Sequence, residues 1–560
     1  MKNSIFKITT FLGIMTLIMI MVPSARAMTL YDDFSSGLLD ETKWIWLEYV
    51  RETEGGKFVS MARRTNSMDP CIYTTGTPNS IEAEVMLKAV EGPDSGTIRA
   101  RIGEYIYNDG TGTGSGDYTG DVWAELGIGL YRGVLEARWY VFKMLNPDRS
   151  DSVLMAEGSL GPVSKDVLFH LSMTWNPGSG TITFSIDGTT ESFLVSDSIH
   201  NPSNPWWGIG SRLSLPVSQL AMVEGVFDNV KKDGILYDDF EGAELDSSKW
   251  SQLDLARVIR DGKCYLRNRT WPGETRNMSM GFVQPDGIRK IQTKATLRKL
   301  VPSGNWVRLR IVGAFYSDGP DSDIWPAILI GDDGEGSGQP KAWCYVMRKN
   351  RDLSEEIIEI YEFGLISMNE QYALSLSYDG THNFVFKING ETHSIQGPPK
   401  VGPPLDFTGI GKRICLRING GATQGEIVAE IDDVMITSDQ LKPDIRANGS
   451  DGPITVTPND SVGITISLDP GNRDGDTADW WVAVKTPFAP PGDWYTFVYP
   501  GLNWLPGVNL CAQTGLFDLA PYEVLNRTLP VGTYTFYFAV DPPDGQVTAE
   551  LMNSVEVIVQ

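Results

Sequence analysis

The sequence predicts an all-β protein made of two tandem β-sandwiches and a third, C-terminal β-sandwich. Three observations lead to this fold class. One long motif occurs twice at a constant spacing, which indicates a duplicated domain. Most of the chain consists of short runs in which apolar and polar residues alternate, broken by Gly, Asn and Asp, as in antiparallel strands. Residues 28–560 show no sustained period of 3.6 residues, so helices are not expected.

The repeated motif defines the two copies. Its first occurrence is Tyr31-Asp32-Asp33-Phe34, Leu39-Asp40 and Lys43-Trp44, and its second is Tyr237-Asp238-Asp239-Phe240, Leu245-Asp246 and Lys249-Trp250. The same offset relates Glu48 to Asp254 and Arg51 to Arg257. We therefore predict a first repeat over residues 28–234 and a second over residues 235–440, and we expect each to fold independently.

The first 27 residues have the features of a secretory signal peptide. Lys2 and Lys7 precede an apolar run over residues 11–22, and Ala25-Arg26-Ala27 supplies the small residues of a cleavage site. The run is short for a membrane span, which needs about 20 residues, so cleavage before Met28 is favoured over an uncleaved anchor. The sequence thus predicts that residues 1–27 are removed and that the protein is secreted or displayed at the cell surface.

The charge of the chain limits its partners. The formal net charge is −24, and such a field repels nucleic acid and anionic membranes. We therefore expect neither nucleic-acid binding nor direct membrane insertion. The abundant acidic turns make Ca²⁺ a possible cofactor, and the sequence indicates no other. Nothing in the sequence determines the oligomeric state.

The cysteines do not form a framework for the fold. The chain has five, Cys71, Cys264, Cys344, Cys415 and Cys511. In the aligned repeats, Phe58, Trp139 and Ser214 stand opposite the three cysteines of the second repeat, so the first repeat folds without them. A disulfide within the second repeat stays open, and the odd number leaves at least one thiol free. No C-x-x-C pair is present, so a zinc site is not expected.

Both repeats contain a series of alternating runs that predict strands. They are residues 81–85, 99–102, 121–129, 136–141, 171–175 and 181–186 in the first repeat, and residues 308–311, 323–325, 342–346, 374–378 and 384–388 in the second. Each repeat closes on an apolar strand that carries acidic residues, at 227–230 and 431–434. We predict that the opening and closing strands of each repeat pair or lie adjacent, as in a two-sheet sandwich.

These motifs resemble a known family. The opening with Asp33-Phe34 and Lys43-Trp44, the hairpin of residues 378–390 and the closing strand of residues 431–434 are similar to the concanavalin A-like lectin and glucanase jelly rolls, including laminin-G-like modules. The resemblance covers residues 28–235 and 235–440. It implies two jelly-roll β-sandwiches, and it names no ligand because unrelated functions share this fold.

The C-terminal segment predicts an immunoglobulin-like β-sandwich over residues 443–560. After a linker at residues 441–443, strands are expected at 454–456, 462–468, 480–484, 494–498, 533–540 and 555–559. Residues 529–538 resemble the late strand of bacterial immunoglobulin-like modules, and that resemblance implies a spacer or a docking unit. The Cys…Trp…Cys pattern of antibody domains is absent from the sequence.

An enzyme of the jelly-roll type is one interpretation of the chain. The resembling glucanases carry two glutamates on one strand, whose carboxyl groups must lie about 5–5.5 Å apart. The nearest match is Glu430-Ile431-Asp432, where Met435 replaces the second glutamate and the strand is the closing one. We interpret this segment as structural and predict no catalytic residue.

Residues that recur in both repeats are candidates for ligand binding. Asp121 and Asp323 each precede a tryptophan by two positions, Trp123 and Trp325, and Trp139 and Trp343 are further candidates. A sugar is held by an aromatic platform together with charged side chains that bond its hydroxyls. We therefore predict glycan binding on a concave sheet of each repeat, which would make the protein bivalent. The alternative is that these tryptophans belong to the core.

Charged residues shared by the repeats also allow a structural interpretation. Arg99 and Arg101 match Arg308 and Arg310, Arg212 aligns with Arg413, and Glu48 is expected to pair with Arg51. The adjacent Trp206-Trp207 predicts one core and one exposed ring, because neighbours in a strand face opposite ways. Trp480-Trp481 predicts the same in the third domain.

Two acidic turns are candidate calcium sites. Asp332 and Asp333 lie in the first, and Asp474 and Asp476 lie in the second. Neither fits the EF-hand pattern, and a solvated turn is the alternative. The four histidines have no spacing that suggests a metal pair.

The sequence thus favours an exported, non-catalytic protein that binds a polysaccharide or a surface glycan, or that mediates adhesion. A secreted polysaccharide-degrading hydrolase of the jelly-roll type is the second hypothesis. A structural surface or matrix protein is the third.

Overall fold

The computed structural model describes residues 28–560 except 113, 197, 336–337, 410, 439–440, 472–475, 489–492, 500, 518 and 549–550. The predicted signal peptide lies outside the described residues. The described residues form β-strands and no α-helix, which confirms the predicted all-β fold class. Over the same residues, no helix is long and apolar enough to cross a membrane.

The first repeat contributes fourteen strands. They are β1 (Thr29–Asp32), β2 (Tyr49–Glu54), β3 (Lys57–Arg64), β4 (Ile72–Thr75), β5 (Ser80–Glu91), β6 (Thr97–Asn108), β7 (Asp121–Tyr131), β8 (Val134–Met144), β9 (Ser152–Pro162), β10 (Leu168–Asn176), β11 (Thr181–Ile186), β12 (Thr189–Leu194), β13 (Trp206–Ser214) and β14 (Ala221–Lys232).

The second repeat contributes fifteen strands. They are β15 (Ile235–Asp238), β16 (Leu255–Arg260), β17 (Lys263–Thr270), β18 (Arg276–Gly281), β19 (Ile288–Val301), β20 (Val307–Val312), β21 (Tyr316–Gly319), β22 (Ser322–Asp332), β23 (Lys341–Asn350), β24 (Glu355–Leu365), β25 (Gln371–Tyr378), β26 (Asn383–Ile388), β27 (Glu391–Gln396), β28 (Arg413–Ile418) and β29 (Gly425–Ser438). Every run predicted as a strand in the two repeats lies within one of these strands.

The C-terminal domain contributes ten strands. They are β30 (Lys442–Ala447), β31 (Ile454–Val456), β32 (Ser461–Asp469), β33 (Thr477–Lys485), β34 (Trp494–Val498), β35 (Asn503–Pro506), β36 (Ala512–Gly515), β37 (Leu519–Thr528), β38 (Gly532–Asp541) and β39 (Met552–Val559). β30, β32 and β37 form one sheet and the other seven form a second, as a sandwich requires. The predicted linker at residues 441–443 is wrong, because Leu441 is buried and β30 begins at Lys442.

One sheet of 16 strands runs through both repeats. Its order is β12-β11-β10-β5-β14-β3-β2-β16-β17-β29-β19-β25-β26-β27, with β1 on β29 and β15 on β14. A second sheet, β4-β13-β6-β7-β8-β9, covers its first half, and a third, β18-β28-β20-β22-β23-β24, covers its other half. Two apolar cores lie between these layers. We call the resulting units the first sandwich and the second sandwich.

The two repeats exchange their opening segments. β1 pairs with β29, the closing strand of the second repeat, and β15 pairs with β14, the closing strand of the first. Phe34, Leu39 and Trp44 accordingly lie in the core of the second sandwich, whereas Phe240, Leu245 and Trp250 lie in the core of the first. Opening and closing strands therefore pair as predicted, but each pair joins different repeats.

The repeated motif forms the clamp that fixes each exchanged segment. The indole of Trp44 donates a hydrogen bond to Asp32 over 2.6 Å, and that of Trp250 donates to Asp238 over 2.6 Å. The tyrosine that opens each motif donates from its hydroxyl to the main chain before the tryptophan. Because the tryptophans are buried, these bonds satisfy groups that would otherwise be orphaned.

The exchange is reciprocal at the junction of the sandwiches. β2 pairs with β16, and Arg51 donates to the carbonyl of Leu253 over 3.1 Å while Arg257 donates to that of Leu47 over 2.7 Å. The predicted pair of Glu48 with Arg51 is wrong, because Glu48 binds Arg63 instead (3.3 Å). The first sandwich is therefore assembled from residues 49–254, a range shifted from the first repeat.

All five cysteines are buried and form no disulfide. The expectation for Trp206-Trp207 is confirmed, since Trp207 is fully buried and Trp206 is only half-buried. The same expectation is wrong for Trp480 and Trp481, because both rings are buried in the C-terminal domain.

Candidate functional site

The outer face of the first sandwich carries a cleft of about 750 Å³. It lies on the sheet formed by β4, β13, β6, β7, β8 and β9, on the side opposite the core. Residues that alternate with core residues along these strands line it, namely Arg99, Arg101 and Tyr105 of β6, Trp123 and Glu125 of β7, Tyr140 and Phe142 of β8, and Trp206, Arg212 and Ser214 of β13. Asp69, Tyr73, Tyr118, Asp148 and Arg149 are among the other lining residues.

The floor of the cleft is a buried ion-pair cluster around Glu125. Glu125 accepts hydrogen bonds from Arg101 over 2.5 Å and from Arg99, and the indole of Trp123 donates to it over 3.0 Å. Burial by itself would raise the pKa of Glu125, but Arg99 and Arg101 hold it well below its ordinary value. Glu125 is therefore ionised at every physiological pH and fixes both arginines in place.

A second carboxylate stands at the wall of the cleft. Asp69 lies 3.1 Å from Arg101 and accepts a hydrogen bond from the hydroxyl of Tyr73 over 2.7 Å. Burial opposes ionisation, but Arg101 and Arg212 leave the pKa of Asp69 lowered. Arg101 thus joins both carboxylates, so the floor and the wall form one hydrogen-bonded unit.

Aromatic rings form the rest of the surface. Tyr105 meets Trp123 edge to face with centroids 4.9 Å apart, and the guanidinium of Arg101 lies 5.2 Å from the ring of Trp123. At the mouth, the guanidinium of Arg149 covers the ring of Tyr118 at 4.6 Å. Tyr140 and Phe142 are half-buried and face the open space. Together they supply planar apolar faces beside charged donors.

The exchanged segment of the second repeat holds one wall of this cleft. The side-chain oxygen of Gln252 accepts a hydrogen bond from the main-chain NH of Tyr73 over 2.6 Å, and Ser251 donates to the carbonyl of Tyr73 over 2.8 Å. Gln252 itself lines the cleft. The first sandwich therefore needs residues of the second repeat to place Tyr73.

Small residues leave the space open. Gly103 lies under Trp123, where an added Cβ would come within 2.5 Å of the indole. The strand register places Val312 at the equivalent position of the second sandwich, since Gly103 pairs with Glu125 and Val312 with Ala327. By the same comparison, Leu329 stands in place of Gly127 and Cys415 in place of Gly210.

The corresponding face of the second sandwich is filled by side chains. Trp325 is 1% exposed, Trp343 is 3% exposed, and both pack with Tyr345 and Met347 in a separate apolar cluster. Trp123, the counterpart of Trp325, is 7% exposed, so its ring lines the cleft but is also largely covered. The prediction that Trp325 and Trp343 bind a glycan gains no support from this packing.

The predicted aspartates hold loops beside the strands. Asp121 accepts hydrogen bonds from the main-chain NH groups of Ser203 (2.8 Å) and Asn204 (3.1 Å), and Asp323 accepts from those of Leu405 and Asp406, both over 2.7 Å. Both carboxylates are buried and lie outside the lining of the cleft. Their recurrence in both repeats thus reflects a shared loop anchor.

Two alignments between the repeats shift by one or more positions. Trp139 faces the core and stacks on Phe184 with centroids 4.6 Å apart, so it belongs to the opposite face from Trp343. Arg212 lies opposite Arg99, and Arg417 lies opposite Arg308, so Arg417 is the counterpart of Arg212. The alignment of Trp139 with Cys344 is therefore confirmed, whereas those of Arg212 with Arg413 and of Ser214 with Cys415 are wrong.

The acidic turns do not form a metal centre in the described part of the chain, where no group of three or more His, Cys, Asp or Glu side chains could hold a metal ion. Asp333 lies 2.6 Å from Lys341, whose ammonium takes the place of a cation. The carboxylate of Asp332 accepts from the main-chain NH of Gly334 over 3.2 Å. Asp474 lies outside the described residues, and Asp476 is exposed just before β33.

Several lining residues were not among the sequence-based candidates, namely Asp69, Tyr73, Glu125, Tyr140 and Arg149. The signal that could have found Glu125 is its place beside glycines on β7, Gly127 and Gly129, two residues after Trp123. Glycines at alternate positions of a strand mark a face without side chains. The first repeat has this pattern and the second does not.

Comparisons with known proteins find only distant structural similarity. No family model and no curated protein matches. Similar solved structures include a Caenorhabditis elegans galectin, LEC-6 (8% identity, TM-score 0.17, 30% of this chain and 96% of that chain). A sialidase also matches (10% identity, TM-score 0.21, 57% of this chain and 31% of that chain). The botulinum neurotoxin serotype D binding domain matches as well (11% identity, TM-score 0.18, 67% of this chain and 92% of that chain). Likeness this low carries no conclusion about the fold family or the ligand of this chain.

Proposed function

We propose that this protein is a secreted or cell-surface, non-catalytic protein that binds a glycan in the cleft of the first sandwich. The observation that carries the proposal is the cleft itself, in which half-buried aromatic rings stand beside fixed arginine and carboxylate groups. Its volume is within the range of about 300–1,000 Å³ typical of ligand sites. Export, which rests on the predicted signal peptide, is part of the proposal.

The lining matches the chemistry of a sugar. A pyranose presents apolar C–H faces and a rim of hydroxyls, so it needs flat apolar surfaces next to hydrogen-bonding groups. Tyr140 and Phe142 offer the former, and Arg212 and Asp69 offer the latter. Because Arg99, Arg101 and Glu125 are held by one another, the polar groups are already oriented before a ligand arrives, which lowers the cost of binding.

The electrostatics of the cleft favour binding over hydrolysis. A glycosidase needs one carboxylic acid that keeps its proton near neutral pH, which requires a raised pKa. The two cleft carboxylates with arginine partners, Asp69 and Glu125, both have lowered pKa values. Glu430, the nearest sequence match to a catalytic glutamate, lies on β29 and pairs with Arg298 over 2.8 Å.

A binding assay on polysaccharides tests the proposal. The purified protein is titrated against a panel of neutral and acidic polysaccharides by affinity electrophoresis, with reducing-sugar release measured in parallel. Tyr140→Ala removes a half-buried ring from the cleft and should weaken retention about tenfold, since a stacked ring adds roughly 1–1.5 kcal/mol. Tyr372→Ala is the matched control, a half-buried ring of β25 far from the cleft in sequence and sheet.

Retention that Tyr140→Ala weakens and Tyr372→Ala preserves would support the proposal. Retention that is equal in both variants would place binding elsewhere. A protein that no polysaccharide retards would favour the structural role, and sugar release that Glu125→Gln abolishes would favour the hydrolase. N-terminal sequencing of secreted material tests export, with Met28 as the expected first residue.

A further inference from the structure

The outer face of the second sandwich holds an excess of buried positive charge. Arg308 and Arg310 of β20, and Arg413 and Arg417 of β28, point to the same face, as alternate residues of neighbouring strands do. Arg308, Arg310 and Arg413 are 2%, 1% and 5% exposed. Such charges are stable in a protein interior only when they are paired.

The described residues supply little compensation. Glu355 is the one carboxylate there within 4 Å of this arginine group, at 3.7 Å from Arg417, and it also lies 3.6 Å from Lys349. Arg310 donates to the hydroxyl of Tyr345 and to the sulfur of Cys415, both over 3.3 Å. Burial alone would raise the pKa of the Cys415 thiol, but Arg310, Arg413 and Arg417 lower it, so this thiol is a further partner. The four arginines thus have one carboxylate within 4 Å among the described residues, Glu355, and Lys349 also pairs with it.

Arg308 is the clearest case of a buried arginine that lacks hydrogen-bond partners. Its Nε and Nη1 atoms are buried and have no hydrogen-bond partner. Its guanidinium lies 4.4 Å from the ring centroid of Trp306, which covers one face of the group and leaves the donors in its plane unused. The Nε atom of Arg417, directly opposite on β28, also lacks a partner. Burial and the neighbouring arginines lower the pKa of Arg308 to about 9.

The first sandwich has a carboxylate at the position where the second has none. Arg99 and Arg101 occupy the positions of Arg308 and Arg310, and Glu125 receives hydrogen bonds from both. The residue that corresponds to Glu125 is Ala327, which has no charge. The arginines are thus present in both sandwiches, whereas the carboxylate that neutralises them is present in one.

We propose that the second sandwich binds an oxyanion among Arg308, Arg310 and Arg417. The oxyanion occupies the role that the Glu125 carboxylate has in the first sandwich. Sulfate, phosphate and carboxylate groups match the planar fork of guanidinium donors. Trp306 and Arg417 are half-buried, so a small ion or the terminal group of a larger ligand would enter at their edge of the site.

The test measures thermal stability of the full chain against anion concentration. Sodium sulfate and sodium phosphate are titrated to about 10 mM, with sodium chloride at matched ionic strength, where general salt effects on stability are small. We expect a saturable rise in melting temperature with sulfate or phosphate and none with chloride. Glucose 6-sulfate is the second probe, and its affinity relative to free sulfate shows whether the anion is carried by a sugar.

Substitutions of single arginines test which residues bind the anion. Arg308→Gln should raise the dissociation constant for sulfate by about tenfold or more, because a charge-assisted contact is lost. Arg417→Gln, at the half-buried rim, should do the same if Arg308→Gln does not fold. Arg351→Gln is the control, since Arg351 is 66% exposed and pairs with Asp321. Equal responses to sulfate and chloride, or undiminished sulfate binding in Arg308→Gln or Arg417→Gln, would overturn the proposal.

Discussion

Single side chains decide which of two equivalent faces is open. Gly103 and Glu125 leave a charged cleft in the first sandwich, whereas in the second Val312 fills the position of Gly103 and Ala327 supplies no carboxylate at the position of Glu125. Both faces keep a tryptophan at the same register, Trp123 and Trp325. A tryptophan conserved between repeats therefore indicates a position in the sheet, and its neighbours determine whether it can meet a ligand.

One buried acid of the first sandwich should make stability depend on pH. Glu104 is 1% exposed, neither of its carboxylate oxygens has a hydrogen-bond partner, and its cross-strand neighbour Trp207 has an unpartnered indole NH. Burial, with a smaller effect of Asp233, raises the pKa of Glu104 well above its ordinary value of 4.5. The folded state therefore holds a proton that the unfolded chain releases above pH 4.5.

The stability contributed by this proton is fully present below pH 4.5 and is lost as pH rises through the folded pKa. Glu104→Gln keeps the shape without a titrating group, so it should remove a slope of up to about 1.4 kcal/mol per pH unit. Urea unfolding from about pH 5 to 8 measures the slope. The exposed Glu91→Gln is the control, and identical slopes in wild type and Glu104→Gln would contradict the assignment.

Sequence patterns located faces well within a strand and less well between repeats. Period-two alternation placed Trp206 and Trp207 on opposite sides, as the structure does. Choosing site candidates by residue type brought together Trp139 and Trp343, although the aligned repeats set Trp139 opposite Cys344, as the strand register does. A shift of one residue moves a side chain to the other face of a sheet, so candidates matched by residue type alone fell on different faces.

At the scale of elements, the opening segment is the part that the sequence could not place. Both closing strands have the same pattern, so the motif predicts that an opening strand meets a closing strand without selecting which one. The length of chain between an opening strand and a closing strand determines which two of them pair. β14 and β15 are joined by Asp233 and Gly234, both with positive φ (53° and 76°), as in a two-residue hairpin turn. Closing this short loop costs less conformational entropy than closing the long chain between β1 and β14. β15 therefore pairs with β14, and β1 pairs with the remaining closing strand, β29.

The exchange predicts which sandwich depends on Trp44. Trp44 is 1% exposed and lies in the core of the second sandwich, although it belongs to the first repeat. Trp44→Ala should cost about 3–5 kcal/mol of stability. Hydrogen exchange followed by mass spectrometry should show faster exchange in peptides from β19 and β29, with β5 and β7 unchanged.

Trp250→Ala is the reciprocal variant. Trp250 lies in the core of the first sandwich, so β5 and β7 should become less protected while β19 and β29 keep their protection. If Trp44→Ala instead loosened the strands of the first sandwich, the segments would not be exchanged.

At the scale of the whole molecule, the exchange defines the fragments that should fold. Residues 49–254 contain the complete first sandwich, including β15 and Trp250. Residues 255–440 lack the opening segment that β29 requires. We expect a cooperative β-rich melt for 49–254 alone, and for 255–440 only after a peptide of residues 28–48 is added. Independent folding of 255–440 without the peptide would contradict the exchange.

The duplicated fold could be predicted from the repeated motif, and the strands from their alternation. The cleft of the first sandwich could not be predicted, because it depends on the differences between repeats at Gly103, Glu125 and Gly210 rather than on what they share. Because both repeats carry the candidate residues, the sequence predicted one glycan site in each repeat. In the described residues, the outer face of the first sandwich has a cleft and that of the second is filled by side chains, while both keep the same strands.

Calorimetric titration of the full chain with a short neutral oligosaccharide from the polysaccharide that it retains tests the central claim most directly. A short ligand cannot bridge two sites, so the stoichiometry counts the clefts. We expect one oligosaccharide per chain, with binding weakened about tenfold in Tyr140→Ala and retained in Tyr345→Ala, which alters the equivalent ring of the filled face. Two equivalent sites per chain, or one site that Tyr345→Ala abolishes and Tyr140→Ala leaves intact, would contradict it.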